Sequence, residues 1–325
     1  MNTVARWTRR SSLLVRLAVV AVPGVCVWLP IADAADIHWQ STPVPSERYL
    51  YAGERLAHQW HHLHRTDSEP FPSPAYLRDW LEREPAVRES LPDFDGDTRT
   101  LARQLQQAWR YYHAGEFAAA WQLGRTLGVA GAYVTSRALA VHSQHLRQGT
   151  ARKAELEHNL ATLQALDERG MLVTANLEMA LIYVAGRVAQ ELSLMQALRR
   201  GNPRELRRRL QAVLDDNPGH VEAHLGMGAF HAELVYRAGK PVAALMYGAR
   251  ADQARDYYSR ALELAPESVL VHVEYAHALQ LLGADNQEQR ALLSAAVELT
   301  PHDAATHLEQ QRAERMLREL DGNRP

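Results

Sequence analysis

The chain has 325 residues, in which 36 lysines and arginines stand against 38 aspartates and glutamates for a net charge of −2. That length accommodates two average domains or one extended array. From residue 35 onward 32 basic residues face 37 acidic ones, which leaves no electrostatic footprint for nucleic acid, whose binding depends on neutralising phosphates.

The first 34 residues differ from the rest. Arg6, Arg9 and Arg10 give a positive start, an apolar run covers Leu17 to Ala32, and Ala32-Asp33-Ala34 offers small residues at a cleavage position. This pattern predicts a secretory signal peptide over 1–34 and a periplasmic or secreted protein, with no stable membrane insertion after cleavage. A retained anchor is the alternative, but the run is short of the ~20 apolar residues that span a bilayer and contains Pro23 and Pro30. Cys26 is the single cysteine, so cleavage after Ala34 leaves a chain stabilised by packing without disulfides.

Residues 35–96 read as an N-terminal helical cap or arm, with helices near Ser46–His64 and Pro74–Glu84 and a loop through Leu91–Gly96. The first of these carries His58, His61, His62 and His64. His58 and His62 are four apart, so they share a helix face and could reach one metal ion. The motif is not His-Glu-x-x-His, and a solvated polar face is the competing reading. Trp39, Trp60, Trp80, Trp109 and Trp121 all fall in the first third of the exported chain, which predicts a packed aromatic core there. Asp93, Asp95 and Asp97 surround Gly96 without the spacing of a calcium loop. Asp97 reads instead as the cap of a helix beginning near Thr98.

From residue 97 apolar positions recur every three or four residues, and the fold class is all-α. Ala108, Tyr111, Gly115, Phe117 and Ala120 mark a first helix–turn–helix unit. Gly128-Val129-Ala130-Gly131 reads as a link between units, because neither a preceding strand nor a following lysine makes it a phosphate loop. Tyr133–Gln148 and Ala151–Glu168 form the next pair, and Met171–Arg200 reads as one long helix. Asn202 is the expected cap of its partner, with Pro203 at the first helical position and Glu205 completing a capping box. Three helices then close on a similar phrase: Val-Leu-Asp-Asp-Asn-Pro at 213–218, Ala-Leu-Glu-Leu-Ala-Pro at 261–266 and Ala-Val-Glu-Leu-Thr-Pro at 296–301. Within 219–266, Gly228 lies on the first helix, and Ala254, Tyr258 and Ala261 share one face of the second. Small residues on that face let the helices approach closely while the aromatic fills the space between layers. His302–Leu320 is amphipathic and suits a capping helix over the last unit.

These features resemble the tetratricopeptide repeat family, whose unit is about 34 residues long. The resemblance covers 101–128 and 219–301, and extends in degenerate form through 132–218. It implies a right-handed α–α superhelix of about five helix pairs over 97–301, capped by 35–96 and by 302–325. The sequence departs from the family in two ways. The unit 219–266 is longer than the family repeat, and His224 and His272 replace the typical first-helix tryptophan. By alignment with the family, Trp109, Tyr112, Glu222, Leu225, Glu233 and His277 would line the concave groove. The lysine/asparagine clamp that some members use on a peptide's terminal carboxylate is absent from the aligned positions.

The extra residues of the long unit, Gly239–Arg250, are apolar but carry Lys240, Tyr247 and Arg250. An apolar wall with a few polar groups suits a ligand pocket; packing over the neighbouring unit is the competing reading. The chain has no Gly-x-Ser-x-Gly, and its exported part has no cysteine nucleophile. The leading expectation is therefore a non-catalytic periplasmic scaffold, without cofactor, that binds a protein or peptide partner. The second is a small-molecule-binding component of an envelope transporter with its pocket near 239–250. The third is a metal-dependent enzyme, resting on the histidines alone.

Overall fold

A computed structural model describes residues 37–322, so the expectations for residues 1–34 lie outside the described part of the chain. The described residues are helical throughout, with no strand. A 3-10 turn at Ser46–Tyr49 leads to α1 (Arg55–Leu63), α2 (Pro74–Arg83), α3 (Pro85–Ser90), α4 (Thr98–Ala114), α5 (Phe117–Thr126), α6 (Gly128–Leu146) and α7 (Gly149–Glu168). Then come α8 (Ala175–Gln190), α9 (Leu194–Arg200), α10 (Pro203–Asp216), α11 (Val221–Ala238) and α12 (Lys240–Val242). A π-turn at Ala243–Tyr247 precedes α13 (Ala251–Leu264), α14 (Val269–Leu281), α15 (Asn286–Glu298) and α16 (Ala304–Leu320).

Local chemistry sets most of these boundaries. Asp97 accepts the Arg99 amide at 2.9 Å and caps α4. Gly115, at φ 84°, ends α4 in the left-handed conformation. A side chain there would also strike Thr42 and Ala304 at under 3 Å. Asn202 caps α10 with Pro203 behind it, but Glu205 takes no part in a capping box. Its carboxylate is engaged by Arg208 and Arg209 instead.

Three elements differ from expectation. Ser46–His64 is split by a turn containing Gly53 at φ 58°. Met171–Arg200 is two helices, because Ser193 and Gln196 form a capping box that starts α9 afresh. Gly128–Gly131 is the first turn of α6, not a link. Gly131 lies so close to the Gly124 carbonyl of α5 that a Cβ would sit 2.0 Å from it.

Helices close in the chain pack as neighbours: α4 on α5, α6 on α7, α8 on α10, α11 on α13 and α14 on α15. The first members of these pairs also touch in series, α4 to α6 to α8 to α11 to α14. α16 follows α14 and packs back on α4 and α6, so the series returns to its start. Gly228 on α11 faces Tyr258 on α13, which stacks at 5.2 Å on Tyr275 of α14. A Cβ on Gly228 would meet the Tyr258 ring at 2.6 Å, and Ala254 and Ala261 are fully buried. Gly228→Leu and Ala254→Leu are each expected to destabilise by about 1–3 kcal/mol through overpacking. His58 is exposed, so His58→Ala should fall within about 0.5 kcal/mol of the parent. Equal midpoints for all three in urea melts would show that these faces are wrongly assigned.

Candidate functional site

The inner side of this closed series is occupied by the chain's own residues 37–73. The Gln40 amide donates to His142 Nε2 on α6 at 2.9 Å. Tyr49 Oη lies 3.0 Å from His307 Nδ1 on α16, and the Tyr51 hydroxyl donates to the His302 carbonyl. Arg110 of α4 donates to the Tyr51 carbonyl. Arg65 pairs with Glu267 at 2.9 Å, and the Glu222 amide of α11 donates to the Thr66 carbonyl. Asn176 of α8 donates to Glu69. The arm thus bonds to every inner helix or to the turn just before it.

A cavity of about 110 Å³ remains between the arm, α4, α6, α8 and the starts of α14 and α16. Three buried histidine–carboxylate pairs, His64–Asp67, His113–Asp303 and His145–Glu309, stand at its wall. His64 Nδ1 is 3.0 Å from Asp67 Oδ1, and His113 Nδ1 is 2.9 Å from Asp303 Oδ2. The two rings meet edge to face at 5.3 Å. The Tyr133 hydroxyl donates to Asp67 at 2.7 Å, and Arg137 pairs with Glu222 at 2.8 Å. Burial favours the neutral acid at both aspartates, but other groups outweigh it. His64, Arg137 and Tyr133 hold Asp67 well below the usual carboxylate range, and His113 and Thr306 lower Asp303. Burial, the largest influence, depresses the His113 ring despite Asp303. With its Nδ1–H donated to Asp303, the neutral His113 imidazole carries its lone pair on Nε2.

Four polar atoms of the cavity-lining residues have no hydrogen-bond partner among the described residues and are closed off from solvent: His64 Nε2, His113 Nε2, Tyr112 Oη and Arg137 Nε. Each buried unpartnered polar group costs about 1–3 kcal/mol. A carboxylate-held imidazole also suits a general base or a metal ligand. Ser268 is committed to capping α14 through the Val271 amide. Among the described residues no three histidine, cysteine or carboxylate side chains converge as a metal site. His58, His61 and His62 are exposed on α1, and only His64 turns inward.

The groove residues taken from the sequence are dispersed by this arrangement. Trp109 and Tyr112 are buried, Trp109 stacking on His113 at 5.6 Å. Glu222 is bound to the arm and to Arg137. Leu225 is buried in the core between α11, α13 and α14. Glu233 accepts from Gln190, and His277 is half-buried beside Glu274 and Arg312. Lys240 and Arg250 are exposed, Tyr247 packs on the α10–α11 core, and none of the three lines this cavity. The His113–Asp303 pair had no local signal, because its members lie 190 positions apart.

These titrations give a signed pH dependence. Burial lowers His231 to about 4, and it also depresses His113, His302 and His307. A ring depressed on folding contributes stability that is present above about pH 6.5 and lost as pH falls through its folded value. Asp67, Asp303 and Glu309, the last lowered to about 2, lose theirs below about pH 4.5. Glu69 runs the other way. Burial first, and then Asp67, raises it to about 7, so its contribution is present below about pH 4.5 and lost as pH rises through 7. Urea midpoints should therefore fall as pH drops below 6.5. Glu69→Gln should gain stability over the parent at pH 8 and gain none at pH 4. A pH-independent difference would remove this assignment.

No protein-family model matches the chain, and no curated protein matches it.

Proposed function

We propose that the chain is an exported, tetratricopeptide-like helical array whose closed interior holds a small polar molecule at the His64–Asp67 and His113–Asp303 pairs. The observation that carries this reading is the cavity of about 110 Å³ with unpartnered Nε2, Oη and Nε atoms on the residues of its wall. Its size suits a ligand of only a few non-hydrogen atoms, well below the 300–1,000 Å³ of drug-sized pockets. The His113 Nε2 lone pair calls for a hydroxyl or amino donor, and Arg137 Nε–H for an acceptor on the same molecule. Binding without covalent chemistry suits a solute-binding component of an envelope transport system. The expectation of a peptide along the concave face is less favoured, since such a peptide would have to displace residues 37–73.

Tyr112→Phe tests the site, because it deletes a hydroxyl that has no protein partner. In a thermal-shift screen of small polyols, amines, amino acids and hydroxy acids, a ligand present at 100 times its Kd stabilises by about 2.7 kcal/mol. A hit should bind Tyr112→Phe about tenfold more weakly and Lys240→Ala as well as the parent. A hit lost in Lys240→Ala instead would return the site to 239–250. A panel without hits, together with selection of a tight-binding peptide from a library, would restore the scaffold reading.

A further inference from the structure

Seven large apolar side chains are exposed among the described residues, and three of them, Val242, Leu245 and Met246, lie in one turn. That concentration at one turn sets it apart from the scattered apolar surface of any protein. α12 and the π-turn hang between Gly239 at φ 79° and Gly248 at φ 65°. Ala243 and Ala249 are fully buried, and Tyr247 packs on the core beneath, so the turn is fastened at its base. Its tip is left in solvent, with Leu245 84% exposed and Val242 and Met246 each 48%.

Cations surround the base of this tip. Arg204 of α10 donates to the Met246 carbonyl at 3.4 Å. The Arg207 guanidinium lies 2.7 Å from where a Gly248 side chain would begin. Lys240 and Arg250 bracket the turn in sequence and are exposed. None of the four makes an ion pair among the described residues. Nearby Glu205 is engaged by Arg208 and Arg209, and Asp252 accepts the Gln253 amide of its own helix.

We propose that this apolar turn and its four cations dock on an anionic phospholipid surface. A protruding tip offers neither the groove that holds a helix nor the sheet edge that holds a strand. It does match a bilayer interface, where aliphatic side chains enter the acyl boundary and cations stay with the headgroup phosphates. The contact is peripheral, since no helix of the described residues is long and apolar enough to cross a membrane.

The test places an environment-sensitive nitrobenzoxadiazole label at Leu245→Cys in a Cys26→Ser background of the full chain. The local probe reports on this turn whatever residues 1–36 do. Phosphatidylglycerol-containing vesicles should shift the label's emission to the blue, pure phosphatidylcholine vesicles should not, and high salt should reverse the shift. Arg204→Gln and Lys240→Gln should each weaken the response about fivefold. An unchanged emission with phosphatidylglycerol vesicles overturns the proposal. So does an equal response to phosphatidylcholine, or a shift that follows protein concentration without vesicles and so marks self-association.

Discussion

Replacing Glu274 with alanine is expected to lower stability by about 3–5 kcal/mol, as when one partner of a buried ionic group is removed. Glu274 Oε1 accepts from Arg187 of α8 at 2.9 Å and from Arg312 of α16 at 2.7 Å. The three side chains are largely buried, and they join three inner helices at one carboxylate oxygen. Burial alone would push the Glu274 carboxyl up, but Arg187 and Arg312 outweigh it and hold it well below the usual range. Without Glu274 two guanidinium groups stay in a poorly solvated place with no shared counter-charge. The exposed Arg255–Glu288 pair provides the comparison. Arg255→Ala should cost no more than about 1 kcal/mol, because water and salt screen that pair. Urea unfolding of the two variants decides the matter, and midpoints that agree would show that the triad does not hold the inner helices together.

Trp60→Ala is expected to cost about 3–5 kcal/mol, and chiefly to release the arm. The ring stacks on His64 at 4.0 Å, meets Phe71, Trp109 and His113 edge-on, and donates through Nε1–H to the Glu69 carbonyl. Truncation removes the ring contacts of the arm with Trp109 and His113 of α4. Limited proteolysis should then cut within 37–73 well before the helices beyond residue 97, while far-UV circular dichroism changes little. Cleavage spread evenly along the chain would instead mean that arm and helices unfold as one unit.

Much of the helical layout was legible because its signals are local. Asp97, Asn202 and Gly115 occupy helix ends in the roles their chemistry suggests. The close contact of Gly228 with Tyr258 follows from small residues at helical spacing. The break before α9 was also written locally, in Ser193 and Gln196, but the apolar periodicity on either side obscured it. The path of the arm was not legible, because its partners lie far away in sequence. Tyr49 meets His307, and Gln40 meets His142. The histidines of α1 illustrate the limit. Spacing paired His58 with His62 on one face, whereas the chemistry lies with His64, whose partners Asp67 and His113 come from the following turn and from α4.

The return of α16 to α4 bears on how the chain folds and fails. In an open row of helix pairs each unit leans only on its neighbours, so the ends fray first and folding can begin anywhere. Here the Asp303–His113 bond and the contacts of α16 with α4 and α6 tie the last turns to the first unit. Neither end is then free to peel away by itself, and the loss of the final helix is felt some 190 positions upstream. Contacts of such long separation slow folding, since the intervening chain must be ordered before they form. A ribosome releasing this chain would thus deliver a row of helices that cannot lock until its last segment emerges.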